Sequence, residues 1–130
     1  MSLNKANIEQ LIPNAVITST ATGAAVDVTK YNGTVQVVLS SSIMTGTTPT
    51  LDVKMQDSAD GSTGWADISG ATFAQVTDAA DLTEMITFVV GDNKAFIRAV
   101  GTITGTTPSV SAGVALIAER QAGYNASQAI

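Results

Sequence analysis

Thr45-Gly46-Thr47-Thr48-Pro49 occurs a second time, residue for residue, as Thr104-Gly105-Thr106-Thr107-Pro108. Each copy lies between runs rich in β-branched residues: 34–44 and 50–56 around the first, 95–103 and 109–118 around the second. A polar loop containing Gly between two such runs reads as a β-hairpin, because Gly takes φ > 0 freely and Pro can restart a strand at its first residue. The pattern predicts two hairpins at the centre of an all-β domain. With two copies 59 residues apart, a solenoid is excluded. The copies read either as two strand-plus-loop units of similar design or as chance convergence on a good loop.

Outward from the pentapeptides, period-2 alternation carries the strand assignment. Leu51, Val53 and Met55 alternate with Asp52, Lys54 and Gln56, one face buried and one wet. Val35, Val37 and Leu39 give residues 34–44 an apolar face, and Val110, Ala112, Val114 and Leu116 do the same for 109–118. Residues 84–90 are apolar on both faces, as expected of a central strand. Asn32-Gly33 is the strongest hairpin-turn dipeptide in the chain. Short strands are expected at 15–19, 24–30 and 72–76, and a loop over 57–64. Turn signals at regular intervals make an antiparallel sandwich or barrel the default, and the expected fold is an antiparallel β-sandwich, jelly-roll or immunoglobulin-like, over residues 15–118. Residues 1–14 are expected as an arm, with a turn or two of helix over 4–11 that sets Ile8, Leu11 and Ile12 on one side before Pro13 forces an extended exit. Residues 119–130, which include Tyr124, read as a C-terminal tail.

Composition narrows the function. Charged residues make up 13% of the 130-residue chain, against roughly 25% in a usual soluble domain, so either part of the surface is covered by other subunits or the chain is a small Thr/Ser-rich β-domain soluble alone. The net charge of −5 and six scattered Lys and Arg argue against a nucleic-acid partner. There is no Cys and no His, which removes thiolate nucleophiles, the usual nucleophile–base pairs and Zn–Cys sites. No apolar run approaches the length of a membrane helix, the first five residues lack the apolar region of a secretory signal, and synthesis in a cytoplasm without a Sec-type address is the expectation. Asp57, Asp60 and Asp67 could be drawn as a carboxylate pair, and Asp57, Asp60 and Ser62 as Ca²⁺ ligands. A solvated loop built on a turn over Ala59-Asp60-Gly61 explains the same residues. The expectation is therefore no enzyme, no cofactor and no metal. Trp65, the sole tryptophan, reads as a sheet-packing residue or as the anchor of a partner contact.

Four stretches resemble a family of small structural proteins encoded by tailed phages and prophages. They are Leu51-Asp52-Val53-Lys54-Met55-Gln56-Asp57-Ser58-Ala59-Asp60-Gly61-Ser62, Trp65-Ala66-Asp67-Ile68-Ser69-Gly70-Ala71-Thr72-Phe73, Lys94-Ala95-Phe96-Ile97-Arg98-Ala99-Val100 and Gly105-Thr106-Thr107-Pro108-Ser109. The resemblance is to head decoration, or minor capsid, proteins. It implies a virion protein that binds the major capsid protein outside a phage head and assembles as a homotrimer. A tail, baseplate or receptor-binding β-module is the alternative. The candidate partner contacts are Ile8, Leu11, Ile12, Trp65 and Tyr124.

Overall fold

The computed structural model describes residues 6–90 and 94–120, and within them every regular element is a β-strand. The strands are β1 (Ala6–Ile17), β2 (Ala21–Thr22), β3 (Val26–Asp27), β4 (Tyr31–Ser41), β5 (Thr45–Ser58), β6 (Ala66–Thr72), β7 (Leu82–Val89) and β8 (Phe96–Arg120). All pairings are antiparallel, in the order β6-β5-β8-β4-β7, with β1, β2 and β3 also paired to β8. The ends of this path come together where β6 approaches β7, so the sheet nearly closes into a barrel. Just beyond β6, the Ala74 N–H donates to Glu84 of β7 at 2.8 Å. The all-β antiparallel expectation holds. The strands form one antiparallel sheet, nearly closed into a barrel and threaded by a single long strand, β8.

That strand exists because the pentapeptides are not hairpin loops. Both lie inside strands, and they pair with each other: Thr45 opposite Ser109, Thr47 opposite Thr106, Thr50 opposite Thr104. The pairing has a local two-fold character, since Thr47 and Thr106 occupy the same place in the repeat and the other two pairs exchange under it. Backbone angles repeat as well: φ is 120° and 118° at Gly46 and Gly105, and 45° and 47° at Thr48 and Thr107. The Thr48 and Thr107 hydroxyls each donate to the preceding carbonyl at 2.8 Å. The register slips on both sides of Thr47. Such a bulge moves the following side chains to the opposite face of the strand. In β8, Ile97 and Ala99 point into the core before the pentapeptide, and Val110, Ala112, Val114 and Leu116 after it. The inward parity switches from odd to even there.

The crossing divides the sheet into two halves. In the first, β1, β8, β4 and β7 lie side by side; in the second, β2 and β3, then β8, β5 and β6. Their inner faces share one core, with Val35, Val37 and Leu39 of β4, Leu51, Val53 and Met55 of β5, and the inward residues of β8 at its centre.

Three expectations are corrected by this arrangement. Residues 6–14 are not a helix or a free arm but most of β1, whose Leu11 and Ile12 are buried against β8. Hydrogen bonding to a long neighbouring strand stabilises them where an isolated short helix would be marginal. Asn32-Gly33 lies within β4, at a register slip between Tyr31 and Val35, and not in a hairpin turn. Finally, β7 is an edge strand hydrogen-bonded to β4, not a central one, and its Met85 and Val89 are exposed.

Two outcomes follow for stability. A Cβ added at Gly46 would stand 2.9 Å from the Thr106 and Thr107 carbonyl oxygens, and one at Gly105 2.8 Å from the Pro49 Cα. Gly46→Ala and Gly105→Ala are each expected to cost about 1–3 kcal/mol in urea unfolding, from backbone strain alone. A loss under 0.5 kcal/mol at both would contradict the crossing. Leu11→Ala is expected to cost about 2–5 kcal/mol, as for a buried core side chain. An unchanged unfolding midpoint would mean that β1 is not docked.

Candidate functional site

The stretches 51–62, 65–73 and 94–100, separated in sequence, meet on the outer face of the second half-sheet. Alternation sets Lys54 and Gln56 of β5 and Arg98 of β8 outward, because their neighbours Val53, Met55, Ile97 and Ala99 fill the core. Gln56 lies opposite both Arg98 and Asp67 in the register. The Arg98 Nε donates to the Gln56 side-chain carbonyl at 2.9 Å, and the Gln56 amide donates to Asp67 Oδ1 at 2.9 Å. Lys54 Nζ lies 3.0 Å from Asp67 Oδ1. Hydrogen bonds from Gln56 and then Lys54 hold the Asp67 carboxyl below its ordinary pKa. On the other side of Gln56, the Arg98 guanidinium carbon sits 4.2 Å from the centre of the Trp65 ring, a cation–π stack.

Trp65 is half-buried, so neither reading of it is complete alone. One ring face packs on Arg98 while part of the indole stays in contact with solvent. The result is a platform running Lys54–Asp67–Gln56–Arg98–Trp65, in which each polar group is oriented by the next. These exposed ion pairs add little stability. They fix the guanidinium and indole in one geometry, which lowers the side-chain entropy lost when a partner covers them.

The loop at the edge of the platform is equally ordered. The Ser58 hydroxyl, fully buried, donates to the Thr63 carbonyl at 2.5 Å and accepts from the Gly61 N–H at 3.0 Å. Asp60 Oδ1 accepts from the Ser62 and Thr63 N–H groups, both at 2.8 Å, and Oδ2 from the Thr63 hydroxyl at 2.8 Å. Gly61, at φ 78°, lies against the Phe96 ring, where a Cβ would come within 2.9 Å. The Asp60 carboxylate is thus spent on its own loop, and Asp57 faces Lys94 at 3.8 Å. Among the described residues no three His, Cys, Asp or Glu side chains gather as a metal site.

Of the expected contact residues, the structure brings Trp65 into this platform and places three others on β1. Ile8 is 72% exposed on the first half-sheet, whereas Leu11 and Ile12 are core residues and are not offered to a partner. Tyr124 lies outside the described residues. Arg98 was the residue not singled out. Its signal was the alternation around Ile97 and Ala99, which puts position 98 on the wet face next to Gln56.

No protein-family model matches the chain, and no curated protein matches it. Among solved structures it is similar to the SPBc2 prophage-derived protein YomS. The likeness has 7% identity, covers 91% of this chain and 99% of that one, and has a TM-score of 0.46. A likeness at that level assigns nothing further.

The loop yields a pH prediction. Backbone donors at Thr63 and then Ser62, followed by the Thr63 and Ser58 hydroxyls, hold the Asp60 pKa far below its ordinary 3.8. The stabilisation by the charged form is complete above the unfolded value and is lost as pH falls through the depressed folded value. Carboxyl NMR titration is expected to place the Asp60 midpoint well below 3.8. A midpoint near 3.8 would mean that the loop is not closed on it.

Proposed function

We propose that this chain is a non-enzymatic structural protein of a phage virion, of the head decoration type, and that it grips the shell through the Trp65–Arg98 platform. One observation carries the reading. Three of the four stretches that resemble such proteins, dispersed between residues 51 and 100, converge on one exposed face and supply its indole, its guanidinium and the network that orients them. Trp and Arg are the residue types that dominate protein–protein hot spots when held rigidly at a contact. The low charge content and the absence of Cys and His in the sequence support a role in cohesion over one in chemistry. A protein that cements a shell needs a stiff body whose contacts are built in advance, and strands with short connections provide one.

The test is binding to purified shells from which the protein has been omitted. Trp65→Ala and Arg98→Ala are each expected to lower affinity about tenfold or more, with the far-UV spectrum and melting transition retained. Arg98→Lys should fall short of rescue, because an ammonium does not reproduce the planar stack. Full occupancy by both alanine variants would contradict the reading. If the protein ignores shells but its single tryptophan is quenched by host-surface glycans, the receptor-binding module is the correct assignment.

A further inference from the structure

The opposite half of the sheet has a different outer face. Across β1, β8, β4 and β7 the outward positions include Ile8, Ala115, Ile117, Val38, Met85 and Val89, interspersed with Ser, Thr and Gln. No described side chain pointing outward from these strands is charged, in a chain of net charge −5. Met85 and Val89 are 55% and 67% exposed, on a strand whose sequence is apolar on both sides although only one side meets the core. One face of β7 therefore lacks the cover that its sequence is suited to.

We infer that a second copy of this chain covers this face, forming a two-fold dimer sheet to sheet. The face is self-complementary. Over β8, between Gln10 and Asn14 of β1 and Val38 and Ser40 of β4, is a depression of about 90 Å³. Near the β7 side of the face stands Met85, on the same cross-strand row as Val38, Ala115 and Gln10. A two-fold axis lying between the sheets and parallel to the strands places each β7 over the other copy's β1 on that row. Each methionine then stands at the β1 rim of the partner's depression, and a flexible thioether is well suited to reach into it. Four strands about 4.8 Å apart and about seven residues long at ~3.4 Å each present about 460 Å² per copy. The pair buries about 900 Å², the size of a weak, transient interface, so the dimer should dissociate on dilution. The two-fold arrangement takes the place of the three-fold assembly that the resemblance implies. It uses the face away from Trp65 and Arg98 and does not depend on the shell as destination.

The experiment is sedimentation equilibrium on the full chain from micromolar to millimolar concentration, with Met85→Glu alongside. A monomer–dimer equilibrium is expected, and Met85→Glu should raise its dissociation constant at least about tenfold without altering the melting transition. A second measurement stands apart from the folding of that variant. The chain contains no cysteine, and residues 10 and 85 are three strands apart within one copy, beyond disulfide reach. Gln10→Cys with Met85→Cys should therefore oxidise to a covalent dimer joined between copies. A monomer at every concentration, a trimer, or a dimer that is neither cross-linked by this pair nor weakened by Met85→Glu overturns the inference. So does a monomer whose shell occupancy falls with Met85→Glu, which would give this face to the shell.

Discussion

Two backbones pass through each other's space at Gly46 and Gly105, and every other feature of the molecule is arranged around that contact. A side chain at either position would strike carbonyl oxygens or a Cα of the opposing pentapeptide. Only glycine allows strands β5 and β8 to approach there while both turn through positive φ. The bulge that results reverses the inward parity of β8. β8 can therefore leave one half-sheet and enter the other with its apolar residues still facing one core. Without that reversal, residues 110–118 would present Val110, Val114 and Leu116 to water. The strain at Thr48 and Thr107 belongs to the same device, since a β-branched residue at φ near +45° is held there only by its surroundings.

The crossing also separates two surfaces of unlike chemistry. Beyond it in one direction, the outer face is polar and prearranged, each side chain oriented by a neighbour from Lys54 through to the Trp65 indole. Gln75 continues the pattern by donating to both Asp52 oxygens, at 3.0 and 3.1 Å. In the other direction the outward side chains among the described residues are uncharged, apolar ones mixed with Ser, Thr and Gln, and Asn14 packs over Gly113 so closely that no Cβ fits there. A single rigid body thus offers one surface suited to a partner that needs orientation and another suited to its own kind. Since both faces rest on β8, their relative placement is fixed by one continuous strand.

Much of this architecture was legible in the sequence, and the part that was not has a common cause. Period-2 alternation identified the buried residues of β4, β5 and β8 correctly, because burial on one face imposes a local pattern. The Asp57–Gly64 loop was legible for the same reason, being built from hydrogen bonds between residues two to five apart. The pentapeptides were read as loops because Gly and Pro mark turns in most contexts. Their mutual pairing spans more than fifty residues and leaves no local trace except the repetition itself. β1 was missed because Pro13 and a short apolar spacing suggested an arm, while the neighbour that stabilises it lies near the other end of the chain. Trp65 was singled out without Arg98, since a stack between strands is set by register and not by spacing. For β7 the sequence suggested burial on both faces, but Met85 and Val89 are exposed. The sheet order, which the sequence does not encode locally, placed it at an edge.

The most direct measurement concerns the pairing of the two pentapeptides. Thr50 and Thr104 stand opposite each other beside the crossing, with their hydroxyls in hydrogen-bond contact. Opposed residues of an antiparallel pair have Cα separations of about 4.5–5.5 Å, inside the range for a disulfide. In a chain otherwise free of cysteine, Thr50→Cys with Thr104→Cys is predicted to oxidise within one molecule, under air, to a monomeric disulfide that melts at a higher temperature. If both thiols remain free under those conditions, or react only between molecules, the pentapeptides do not face each other and the account of the fold fails.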